Sequence, residues 1–358
     1  MKVRILSVFL SLLVLCGASL FLADALQNSS PASFAQFGVW ANKAVCGALR
    51  QVDAIEQLAP SLMLLGGAKE QDGIFITKDY LLENIVPANT ALLEENLAGI
   101  ESFLDRHSIP AAIALIPTAV AVKQQEIPVT ANLYNQKALI SEVYDRLSGN
   151  AGTIDAYTEL FSARDEYTYY RTASNLTGLG GYYVYTAIAA RLGLSPRPLD
   201  QFEIEHLSED YYGDLYERSS YKGVRPDLLT LYRYTKNERE YRLTCVRNGE
   251  ERTYFTLFPM HLKALSRPED VILGGTGQLL DICVVSPYAD SVLIFADDTA
   301  LSYLPFLIVH YEHITVVNPA EATDDQLASL DPDEYDQVLF TYSVKTFLQK
   351  DAGFSRLP

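Results

Sequence analysis

SVLIFADDTALSYLPFLIVHYEHITVVNPAEATDDQLASLDPDEYDQVLFTY, residues 291–342, carries the fold of this chain. Ser291–Ala296 is a short apolar run suited to a buried strand, and Asp297-Asp298 ends it. Thr299–His310 reads as a helix, Ile314–Asn318 as a second strand, Asp324–Leu330 as a short helix and Gln337–Tyr342 as a third strand. Strand and helix in strict alternation call for a parallel sheet with right-handed crossovers. Ligands of such sheets gather beyond the C-terminal ends of the strands. The turn Ala296-Asp297-Asp298-Thr299-Ala300 is therefore a first place to expect chemistry, because backbone N–H groups at a helix start can hold an oxyanion. Asp298 in that turn is expected to cap the following helix.

Upstream, Ala111–Ile116 is continuously apolar and ends at Pro117, as a strand buried on both faces does. Leu92, Leu93, Leu97, Ile100 and Leu104 give residues 89–106 one apolar helical face; further helices are expected over 27–60, 136–147 and 178–192. Residues 73–82 read as a hairpin turning at Lys78-Asp79, and Glu240–Phe258 as another turning at Asn248-Gly249. Arg197–Tyr234 looks irregular and aromatic. The expected architecture is a three-layer α/β/α domain with a mostly parallel sheet over 26–358, carrying a β-rich insertion at 203–258.

The chain has 358 residues, of which 49% are apolar and 20% charged, which excludes a disordered polymer. With 28 Lys+Arg against 45 Asp+Glu, its net charge of -17 argues against nucleic acid as a partner. Lys2 and Arg4 precede an uncharged run from Ile5 to Ala23, so residues 1–25 read as a secretory signal peptide or an N-terminal membrane anchor. Export to the cell surface or beyond follows, with membrane contact only through that segment. Beyond Cys16, the cysteines Cys46, Cys245 and Cys283 show no CxxC spacing and read as small buried apolar residues. His310, Glu312 and His313 lie at a helix end running straight into a strand and do not share one face, so no metal and no cofactor is expected.

A second place for chemistry is Tyr170-Arg171-Thr172-Ala173-Ser174-Asn175-Leu176-Thr177, which leads into the helix at 178. Together with Leu115-Ile116-Pro117-Thr118, Leu179-Gly180-Gly181-Tyr182-Tyr183, Tyr211-Tyr212-Gly213-Asp214, Gly223-Val224-Arg225-Pro226-Asp227 and Leu273-Gly274-Gly275, it resembles the DHHW-type proteins of bacterial cell surfaces. Those proteins are relatives of SGNH-fold acyltransferase-like proteins that include alginate O-acetylation factors. The resemblance, which runs on through Asp297 and Tyr335–Leu339, implies an SGNH-hydrolase-like fold and, in active members, acyl transfer through a serine.

The departures from the family pattern fall on that chemistry. Where the family has Asp-His-His-Trp, this chain has Ala173-Ser174-Asn175-Leu176. Ala173 and Asn175 thus stand at the acid and the base, and Asp298 stands at the serine nucleophile. The oxyanion loop, Gly-Gly-Asn in the family, reads Gly274-Gly275-Thr276. An unassisted hydroxyl is a poor nucleophile, and a carboxylate at 298 opposes the charge an acyl-transfer transition state develops. The resemblance therefore implies a pseudoenzyme with a vestigial pocket around Asp297, Thr299, Arg171, Ser174, Gly274, Gly275 and Thr276. Its expected partners are a glycan, a cell-envelope polymer or a protein of an assembly complex. The competing expectation is an esterase or O-acetyltransferase acting on surface polysaccharide through Asp297 and Asp298.

Overall fold

The strands of the central sheet are β1 (Ala111–Ile116), β2 (Gly152–Thr153), β3 (Tyr241–Arg247), β4 (Glu250–Tyr254), β5 (Leu279–Val284), β6 (Ser291–Ala296), β7 (His313–Val317) and β8 (Gln337–Ser343). They lie in the order β2-β1-β8-β6-β7-β5-β3-β4. From β2 to β7 every pairing is parallel; β5, β3 and β4 continue the sheet antiparallel. The computed structural model describes residues 70–71, 73–87, 90–127, 131–219, 221–236, 239–264, 267–275 and 277–358. The leader, the helix expected over 27–60, Cys46 and Thr276 lie outside them. The central sheet belongs to the compact unit formed by Asp72–Ser219 with Gly223–Pro358.

Burial explains why the strands read so differently in sequence. All but the first residue of β6 and of β1 is buried, so both are apolar throughout. Strand β5 alternates between half-buried and buried positions, because only one of its faces is covered. That weaker pattern, LLDICV, does not mark a strand in the sequence.

Helices cover both faces of the parallel part, and β8 shows how. Phe340 meets Phe103 of helix α1 (Thr90–Arg106), and Tyr342 meets Phe354 on the same side, with ring centroids 5.5 and 4.8 Å apart. Thr341, between them, points the other way and shares a hydrogen bond with Tyr303. Tyr303 belongs to helix α3 (Ala300–Leu307), which packs against helix α2 (Gly178–Arg191), where Tyr185 stacks on Phe306. Two-residue alternation along one strand thus sorts side chains between two helical layers.

The expected insertion divides in two. Tyr241–Arg247 and Glu250–Tyr254 form the hairpin expected at Asn248-Gly249, both residues having positive φ, but that hairpin is built into the central sheet through β5. The stretch read as irregular is an antiparallel ribbon, Phe202–Tyr211 paired with Asp227–Tyr234, with register shifts between His206 and Ser208 and between Ser208 and Tyr211. Those shifts break the period-two pattern that would have revealed it.

Candidate functional site

The C-terminal ends of β1, β6, β7 and β8 open on one cleft, lined by Pro117, Asp297, Asn318 and Ser343 among others. A second cleft runs beside it between the ribbon and helix α3, walled by Tyr170, Tyr211, Tyr232, Phe258 and Phe306. Asn175, Leu176, Asp298 and Thr299 line both, so the two clefts meet at these residues.

Asn175 reaches the junction because the loop before α2 is pinned from several sides. Tyr169 and Leu176 form an isolated antiparallel bridge, and Thr177 donates its N–H to Thr168. Inside that loop the fully buried carboxylate of Asp227 accepts from the N–H groups of Arg171 (2.7 Å) and Thr172 (2.8 Å) and from the hydroxyls of Thr172 and Tyr167. Asp214 does the same for Ser174, accepting from its N–H at 2.8 Å and its Oγ at 3.0 Å. A carboxylate satisfied by several donors is a strong local fixture, and two of them hold this loop.

The acidic turn after β6 is fixed by its own first residue. Asp297 Oδ1 accepts from the Thr299 N–H (3.0 Å), and Oδ2 accepts from the N–H and Oγ of Ser343 at 3.0 and 2.8 Å. Asp297 thereby ties the end of β6 to the end of β8. The expectation that Asp298 caps helix α3 is corrected: Thr299 is the capping residue, without a side-chain cap bond, and Asp297 makes the turn's contacts. Asp298 stands at the junction, exposed to solvent. Its carboxyl is shifted up from its ordinary value, first by desolvation and then by the negative charges of Asp297 and Glu321.

The remaining expected residues are dispersed. Ala173 is buried and packs so closely against Gly213 that a Cβ there would stand 2.3 Å from its own. Arg171 lines neither cleft; its guanidinium lies 3.8 Å from Asp227 and over the Tyr167 ring. Gly274 and Gly275 have φ of +78° and +89°, and Gly274 borders a different recess with Cys245, Arg247 and Tyr254. A Cβ on Gly275 would meet Asp270 at 2.4 Å. Of that loop it is Gly277 that lines a small recess with Asp297 and Asp298.

None of the five histidines lines either cleft. His310 is buried, and its Nε2 meets the hydroxyl of Tyr185 at 2.8 Å. Burial, with Arg197 and Arg239 nearby, lowers its pKa to about 4. His313 turns to Asp281 instead, so the two histidines do part company as the spacing predicts. Cys245 is buried as expected, whereas Cys283 is half-exposed, which corrects the reading of it as core. Sequence reasoning missed the positioning roles of Asp214 and Asp227; both sat in stretches noted only for their family-like order.

A family model described as DHHW protein matches residues 96–317. The fold is similar to that of a DHHW family protein from Eubacterium siraeum DSM 15702, with TM-score 0.66 and 18% identity over 80% of this chain and 96% of that one. It is also similar to Bacillus cereus PatB1 with a sulfonyl adduct, with TM-score 0.65 and 14% identity over 78% of this chain and 98% of that one. The O-acetyltransferase domain of Pseudomonas putida AlgJ is 17% identical over 77% of this chain and 92% of that one, with TM-score 0.49. No curated protein matches the sequence. The α/β fold with a mostly parallel sheet and SGNH-like neighbours is the one the sequence reading expected.

Proposed function

Because the chain belongs to the DHHW protein family, we propose that it is an exported, catalytically silent member that acts as a binding or accessory component at the bacterial cell envelope. The observation that carries the proposal is the chemistry of the cleft junction: it holds Asn175 and Asp298 and no histidine. An Asn side chain takes up no proton near neutrality, so it cannot activate a hydroxyl. The two serines of the first cleft donate to carboxylates with structural duties: Ser174 Oγ to Asp214, which also holds the Ser174 N–H, and Ser343 Oγ to Asp297, which also holds the Ser343 and Thr299 N–H groups.

The aromatic wall of the second cleft supports a binding role. Half-buried Tyr232 gives a flat face with a hydroxyl of the kind that packs on sugar rings, backed by the buried rings of Tyr170, Tyr211, Phe258 and Phe306. The proposed partner is a glycan or cell-envelope polymer, or a protein of its assembly complex. Export rests on the leader read at residues 1–25.

One observation favours a second reading. Asp298 is the one carboxyl among the four residues that line both clefts, which suits an esterase or O-acetyltransferase acting on surface polysaccharide. Against it, Asp297 has both oxygens occupied by structural hydrogen bonds. An acyl-ester hydrolysis and transfer assay on the purified protein separates the two readings. The silent-member proposal expects no turnover above buffer; turnover that disappears in Asp298→Ala would overturn it.

A further inference from the structure

The open face of the antiparallel strands carries a group of side chains that the cleft does not use. Asp281 and Cys283 stand two apart on β5, so both project to the same face. On β7, His313 is the register partner of Cys283 and Thr315 that of Asp281. One donor atom from each of Asp281, Cys283 and His313 lies within 4.8 Å of the other two. The cluster sits at the first residue of β7, whereas the cleft lies beyond its last, so the two occupy opposite ends of the sheet.

We propose that Asp281, Cys283 and His313 form an open three-ligand site for a zinc-class divalent cation. A carboxylate oxygen, an imidazole nitrogen and a thiolate together suit zinc better than magnesium or calcium, which favour all-oxygen shells. Tetrahedral zinc with metal–ligand bonds of about 2.0–2.3 Å sets O, N and S donors roughly 3.3–3.6 Å apart, so the 2.6 Å His313–Asp281 pair opens and the wider pairs close by side-chain motion of about 1 Å. Rigid strands supply two donors from one chain segment and the third from its ladder partner, which keeps the ordering cost low.

The surroundings hold the donors ready. Tyr335 stacks on the His313 ring at 5.7 Å and donates to Thr315 Oγ1 at 2.8 Å. That hydroxyl lies 3.3 Å from both Asp281 Oδ1 and His313 Nε2. Contacts of this kind set ring plane and carboxylate orientation in metal sites. Without a cation, His313 Nε2 meets Asp281 Oδ1 at 2.6 Å; the metal replaces that hydrogen bond, the Nε2 proton moves by way of solvent to Nδ1, and the Cys283 proton passes to solvent. Arg242 Nη2 lies 3.3 Å from Cys283 Sγ, and its exposed side chain is free to swing aside when the cation enters. Asp281 and His313 each expose about a third of their side chain, 31% and 37%, leaving a path in from solvent and room for a fourth, water ligand.

The test is calorimetric titration of the reduced, metal-stripped full chain with Zn²⁺, paired with Co²⁺ absorption as a reporter of thiolate ligation. The expected result is saturable uptake at this site with a thiolate-to-cobalt band. Cys283→Ser and His313→Ala should each weaken Zn²⁺ binding by more than about 100-fold, and Thr315→Val by about tenfold. Circular dichroism verifies that each variant is folded; should His313→Ala not fold, Cys283→Ser and the cobalt band of the unaltered chain still decide. No saturable uptake by the unaltered chain, or a cobalt band and Zn²⁺ affinity that persist in Cys283→Ser, would overturn the proposal. Neither outcome bears on acyl-ester turnover at the cleft.

Discussion

Asp227 shows what a single residue contributes to this site. Its carboxylate is fully buried and accepts from two backbone N–H groups and two hydroxyls, all in the segment Tyr167–Thr172 that presents Asn175. Removing it leaves those donors buried without an acceptor and Arg171 without its counter-charge. Asp227→Ala should therefore destabilise the protein by about 3–5 kcal/mol, the cost of breaking a buried, hydrogen-bonded charge. Urea unfolding measures it. Asp227→Asn should recover only part of that loss, since its amide presents donors to donors. A change below about 1 kcal/mol in Asp227→Ala would mean the loop is held by something else. None of this was legible in the sequence. Asp227 follows Thr172 by more than fifty residues, and nothing in an Arg-Pro-Asp run says which loop its carboxylate will reach. The junction residues are a different case: Asn175 and Asp298 stand out in sequence because a motif and a strand-to-helix turn mark them, and the structure brings both to one place.

Among the elements, the closest approach in the α2 and α3 layer depends on residues that have no side chain. A Cβ on Gly181 would lie 1.9 Å from the carbonyl oxygen of Ser302 in α3, and one on Gly180 would lie 2.0 Å from that of Thr168. The obstacle in each case is backbone, which cannot turn aside as a side-chain end can. Gly181→Ala should force α2 off α3 and cost about 3 kcal/mol, at the upper end for overpacking. Gly149→Ala, with nothing within 4 Å of its Cβ, is the matched control and should be close to neutral. Thermal unfolding of the two variants checks the contrast, and equal melting temperatures would refute it. The same elements explain how far the fold could be read. The segment 291–342 alternates strand and helix with both faces of its strands buried, so apolar content alone identified it. Strand β5 escapes the sequence, and the ribbon 202–234 shows there only as part of a β-rich insertion without its pairing, because one has a solvent-facing side and the other shifts register, and each dilutes the periodic signal.

For the molecule as a whole, acidification sets two charge effects against each other. The chain carries -17 at pH 7 and reaches its isoelectric point near 4.7, so lowering the pH first relieves self-repulsion and favours the compact state. His310 works in the opposite sense. Burial, then Arg197 and Arg239, depress its pKa in the folded state from 6.5 to about 4, so the unfolded chain binds the proton more readily. The stability held by a neutral His310 is complete above pH 6.5 and is lost as the pH falls from there to about 4. A shift of that size amounts to about 3 kcal/mol. His310→Gln keeps a polar partner for the Tyr185 hydroxyl but does not titrate. The comparison of the two proteins cancels the general charge effect, which they share. Their difference in unfolding free energy should therefore be constant above pH 7 and move by about 3 kcal/mol in favour of His310→Gln between pH 6.5 and 4. Urea melts at half-unit pH steps measure it. A difference that stays flat across that range would mean His310 charges in the folded protein as it does in the unfolded chain.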